Sequence, residues 1–194
     1  MLVRASVAIV VVVWIYVASN APGGGATSPR SLLPYQKLIA DRSPVDQRMF
    51  RELQEGLLEA EAVRASIKIW PTAPALAADG IPPFAADPTK RASYEWTMIR
   101  VGMIVNYLGV PQSGDQPAWL VLIQEPEPGV PPDQTFEDEE HHRIVSGPML
   151  HVSTWTRAEG GRIETKPVRL PQAEGWTQLY AVGPSAPGRP APVR

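Results

Sequence analysis

Hydrophobic positions along the chain follow three different spacings. The first is continuous: after Arg4, residues Ala5 to Ala18 (ASVAIVVVVWIYVA) carry no charge, and none follows until Arg30. With its flanks the run reaches the roughly 20 residues that a membrane-crossing helix needs, and Trp14 and Tyr16 stand near its distal end, where amphipathic rings favour the interface. It predicts a transmembrane anchor over residues 1–20 or, alternatively, a cleaved signal peptide with Arg4 in its n-region. Both send the remainder out of the cytoplasm, and the lone near-side cation orients the chain N-in, C-out.

The second spacing is helical. Ser43 is placed to cap, Pro44 to occupy the first helical position and Asp46 to meet the positive end of the dipole. Met49, Leu53, Leu57, Ala60, Val63 and Ile67 then recur every three or four residues, and Pro71 requires an end by Trp70. The third spacing is that of strands. Tyr94–Leu108, Trp119–Gln124, Met149–Arg157, Arg162–Leu170 and Trp176–Val182 are rich in β-branched and aromatic residues. Gly160-Gly161 and Gln172–Gly175 read as turns between consecutive hairpins, and Pro167 puts the fourth strand at an edge. Ser31–Arg42 carries a short amphipathic piece, and residues 71–90 read as a connector packed by Leu76, Ile81 and Phe84.

The predicted fold is therefore α+β: an N-terminal transmembrane helix, then one long amphipathic helix on a four- to five-stranded antiparallel sheet. Residues 1–20 are the anchor, 21–30 (APGGGATSPR) a flexible Gly-rich stalk, 31–182 a periplasmic α+β domain and 183–194 a disordered Pro-rich tail. The formal charge of -2, from 18 basic against 20 acidic residues, gives no electrostatic footing for nucleic acid. The absence of cysteine removes disulfides, thiolate metal sites and thiol nucleophiles. GxSxG, GxxxxGK[ST], GxGxxG and HExxH motifs are all missing.

Candidate chemistry concentrates in Glu125–His142 (EPEPGVPPDQTFEDEEHH), which holds seven of the 20 acids and two of the three histidines. Imidazole and carboxylate are the zinc ligands left when cysteine is unavailable, and they also suit nickel or manganese. His141, His142, His151, Glu137 and Glu140 are the candidate metal ligands. A helical turn over 136–143 would set Glu137 below His141 and Asp138 below His142, while strand alternation puts His151 on the side of Ser153 and Trp155. The other readings of this run are a metal-free acidic docking surface and a solvated loop. Trp70, Trp96, Trp119, Trp155 and Trp176 read as core packing rather than as a recognition surface.

Two resemblances bear on function. An apolar helix, an amphipathic helix and then a sheet is similar to the layout of type IV pilins and pseudopilins, and Ala62–Ala85 resembles the helix end of those proteins. No Glu stands near the start of the apolar run, however, and APGGGATSPR interrupts the continuous helix. Pro117–Gly129 (PAWLVLIQEPEPG) with Phe136–Arg143 (FEDEEHHR) resembles a family of small membrane-anchored proteobacterial envelope proteins of unknown function. That resemblance implies a place beside envelope metal-uptake systems. The resulting expectation is a non-enzymatic accessory protein at the cytoplasmic membrane, facing the periplasm. Its anchor in the inner membrane would be residues 1–20, and residues 125–142 would be presented either to a divalent metal, zinc being the candidate cofactor, or to an envelope protein partner with no cofactor. A pseudopilin-like structural subunit and an envelope hydrolase are the alternatives.

Overall fold

The computed structural model describes residues 32–86, 93–112, 116–129, 140–144, 147–158 and 163–181. All belong to one compact unit, residues 32–183. The expected anchor, stalk and tail lie outside the described residues.

The helix forms where capping and periodicity place it. Helix α1 is Pro44–Ile67, with the Ser43 hydroxyl accepting from the Asp46 N–H at 3.1 Å. It ends at Lys68, which takes a left-handed conformation (φ 62) and donates its N–H to the Arg64 carbonyl. The connector holds a second helix, α2 (Ala73–Ala78), capped by the Thr72 hydroxyl. Gly56 lets the connector approach α1 closely, because a Cβ there would lie 2.5 Å from the Pro82 carbonyl and 2.8 Å from the Phe84 ring.

Seven strands form one sheet among the described residues: β1 (Gln36–Leu38), β2 (Tyr94–Val101), β3 (Ile104–Pro111), β4 (Ala118–Gln124), β5 (His141–Arg143), β6 (Met149–Arg157) and β7 (Thr177–Tyr180). Their order is β1-β7-β6-β4-β3-β2, with β5 also on β6. Strands β5 and β7 share one edge of β6, pairing with 149–151 and 154–156 respectively.

The expected fold needs four corrections. Among the described residues no helix is long and apolar enough to cross a membrane, so the transmembrane helix is no element of the described fold, and the single-pass, periplasm-facing location that rested on it is withdrawn. Among the described residues the sheet has seven strands rather than four or five, and it is mixed, because β1 pairs parallel to β7. The apolar stretch from Tyr94 is two strands, folded back at Gly102 (φ 60), so an unbroken pattern concealed a hairpin. The expected strand over 162–170 is absent from its described part. Residues 163–170 are irregular, and Val168 is held by a side chain instead: the buried Asn106 accepts from the Val168 N–H (2.8 Å) and donates to its carbonyl (3.2 Å).

Both faces of the sheet are covered. Met49, Phe50, Leu53, Leu57 and Ala60 of α1, with Trp70 and Leu76, pack on Val105, Tyr107, Trp119, Val121, Ile123, Leu150, Val152 and Leu179. On the other face Val168 and Trp176 cover Leu108, Leu120, Leu122 and Trp155. Trp70, Trp119, Trp155 and Trp176 are buried, the use expected of them, and half-buried Trp96 lies over Gly109, its cross-strand neighbour, where a Cβ would come within 2.5 Å of the indole.

Candidate functional site

The histidines are sorted by strand geometry. Residues 141–143 are a strand, not the helical turn that would have stacked Glu137 with His141, so neighbouring side chains point to opposite faces. His142, opposite Leu150, faces α1, and its Nδ1 stands 3.1 Å from Oε1 of the buried Glu61. His141, opposite His151, faces away from α1, and the two rings lie edge to face with centroids 5.2 Å apart. His151 takes the side that alternation predicts, and its side chain is 40% exposed.

Glu140 sits where β5 and β7 meet end to end on β6. Its carbonyl accepts from the Val152 N–H, and its carboxylate accepts from Gln178 Nε2 and from the Tyr180 hydroxyl. Gln36 of β1 extends the chain of contacts, donating from Nε2 to Gln178 Oε1 and to the Tyr180 oxygen, each at 3.1 Å. His151 Nε2 is 3.8 Å from the Glu140 carboxylate, an ion pair whenever the imidazole is protonated. Beside this network is a recess of about 10 Å³, room for about one water molecule.

Of the five expected metal ligands, His141, His151 and Glu140 are thus neighbours, while His142 is turned to the opposite face with Glu61. Glu137 lies outside the described residues. Among the described residues no group of three His, Cys, Asp or Glu side chains is arranged to hold a metal ion.

The first acid of the run has a different place. Glu125 continues the inward alternation of Trp119, Val121 and Ile123, so its carboxylate enters the α1 side of the domain. There Oε1 accepts from Arg64 Nε and Nη2, both at 2.8 Å, and from Trp70 Nε1 at 3.1 Å, while Oε2 accepts from Arg100 Nη2 at 3.0 Å. The Glu125 side chain is only 5% exposed. One carboxylate therefore ties the last turn of α1 and the connector to β2 and β4. Burial of this kind costs several kcal/mol per ion unless geometry and hydrogen bonds compensate, as they do here. Glu61, Gln36, Gln178 and Tyr180 carried no mark in the sequence, but Glu125 could have been found by its parity with Ile123.

A recess of about 200 Å³ lies elsewhere, between Arg157, Lys166, Glu174 and Trp176. Lys166 stands there between Glu164 (3.6 Å) and Glu174 (3.7 Å), so its charge is already answered.

A profile of a protein family matches residues 37–181, from inside β1 to one residue past β7. The chain belongs to that family, DUF6162, a family of unknown function. No curated protein and no solved structure matches the chain. The match gives the DUF6162 domain nearly the bounds of the folded unit, and Glu140 with Gln178 and Tyr180, as well as the Glu125 hub, lie inside it.

Proposed function

We propose that this DUF6162 protein is a non-enzymatic accessory protein that works by binding a protein partner at the β5 edge of its sheet. The observation that carries the reading is the histidine pair, His141 of β5 and His151 of β6, held side by side across two paired strands at the end of the acid-rich run. Two imidazoles beside Glu140 offer a partner both stacking surface and hydrogen bonds. The acids of residues 127–140 favour a partner segment rich in lysine or arginine. The bracing of Glu140 by Gln178 and Tyr180 supports the reading, since a preorganised edge loses less entropy on binding.

The test uses the full chain and an oligolysine peptide as the probe. Binding is expected at low salt, weakened by added salt, and lost in a Glu137→Gln/Asp138→Asn/Glu139→Gln variant carrying His141→Ala and His151→Ala. Equal binding by wild type and variant would overturn the reading. So would stoichiometric zinc binding that the two histidine substitutions abolish, which would put divalent-metal handling in its place.

A further inference from the structure

The opposite end of the sheet carries a longer edge. Strand β2 pairs with β3 over all eight of its residues, Tyr94 to Val101, and ends the strand order on that side. The Ser93 carbonyl accepts from the Gln112 N–H at 2.9 Å, which sets the alternation of an antiparallel ladder. Odd-numbered residues bond to β3, so the N–H and C=O groups of Tyr94, Trp96, Met98 and Arg100 point away from it. Among the described residues none of these groups has a backbone partner beyond the strand. Three of the usual guards of an exposed edge, proline, lysine and a bulge, are missing from β2, whose charges are Glu95 and Arg100. Trp96, Thr97, Met98 and Ile99 are all half-exposed along it.

We infer that this edge pairs with the same edge of a second copy, antiparallel about a two-fold axis at Thr97. A two-fold axis normal to the sheet preserves its faces, so residues directly opposite one another must have the same parity. Of the registers this allows, the one centred on Thr97 gives every outward N–H and C=O of Tyr94, Trp96, Met98 and Arg100 a partner. It sets Trp96 against Met98 of the second copy, a sulfur–aromatic contact. It also places Tyr94 against Arg100 of the second copy, a ring facing a cation, and Thr97 against Thr97, a favourable cross-strand pair. No like charges meet. The strand is thus complementary to itself, which selects a second copy over an unrelated peptide as the occupant. This surface is independent of the β5 edge.

The experiment is sedimentation equilibrium of the full chain from low micromolar to millimolar concentration, with Thr97→Lys, Thr97→Glu and their equimolar mixture. Wild type is expected to dimerise. Each variant places like charges across the axis and should raise the dissociation constant roughly tenfold, while the mixture should recover or exceed wild-type association by pairing Lys with Glu. The side chain of Thr97 is half-exposed, so both variants should keep the wild-type circular dichroism spectrum. A monomeric wild type overturns the inference regardless of the variants, and so does a dimer that neither substitution weakens or a mixture that recovers nothing.

Discussion

Replacing Glu125 by Gln keeps the shape of the side chain and one acceptor oxygen but removes the charge that two guanidinium groups share. Trp70 Nε1 and Arg64 can still donate to the amide oxygen, whereas the amide NH₂ now faces Arg100 or Arg64, where a carboxylate oxygen stood 3.0 or 2.8 Å away. Arg100 is 37% exposed and can turn to water, so its loss is small. Arg64 is 18% exposed and packed at the last turn of α1, so it cannot be fully rehydrated without fraying the helix. Breaking a buried pair from one side costs about 3–5 kcal/mol. With the retained hydrogen bonds and the escape of Arg100, the lower end applies, about 3 kcal/mol, or about 6–12 °C in Tm for a domain of this size. Urea unfolding followed by tryptophan fluorescence measures it, with an unchanged m-value showing that only stability has moved. The companion Glu125→Leu/Arg64→Met should recover part of the loss, because it removes the stranded charge along with its partner. A Glu125→Gln protein within about 1 kcal/mol of wild type would refute the reasoning and make the hub an ordinary solvated ion pair.

Four further outcomes follow from the same geometry. Gly109→Ala should cost about 1–3 kcal/mol through overlap with the Trp96 indole, and Trp96→Leu in the same chain should relieve it. Gly56→Ala should destabilise despite the helix propensity gained, because its methyl group meets the Pro82 carbonyl, which is backbone and cannot step aside; thermal melts decide the sign. Asn106→Ala should free Val168 and leave its backbone polar groups without partners, costing about 1–3 kcal/mol and speeding hydrogen exchange at the Val168 amide. Burial pushes the Tyr94 phenol up to about 12 and Tyr107 further up, so the folded state keeps these protons after the unfolded chain has released them. The stability they hold at neutral pH is therefore present below about 10 and lost progressively as pH rises through the folded values. Urea midpoints should fall above pH 10, and fall less steeply in Tyr107→Phe, which at neutral pH should lose about 1 kcal/mol with its bond to the Pro71 carbonyl.

What the sequence determined by itself was local. Ser43, Pro44 and the three- and four-residue spacing marked the start and the buried face of α1, and Pro71 bounded its end, because capping and amphipathicity act within a few residues. The strand character of β4, β6 and β7 was legible in β-branched runs, as was the side on which His151 stands, because alternation is a property of a single strand. Only the tertiary structure decided which strands lie side by side. Three residues of β1 have no pattern of their own and become a strand only because β7 offers them a partner. The lack of an interruption hid the turn at Gly102, which only pairing reveals. The acid run looked uniform in sequence, yet Glu125 is drawn into the protein by Arg64, Arg100 and Trp70, Glu140 is held by Tyr180 and Gln178, and His142 is turned toward Glu61. Every one of those partners lies 25 or more residues away along the chain. Composition reports how many charges a segment carries; which of them face water and which face one another is set by the long-range packing that folds helix onto sheet.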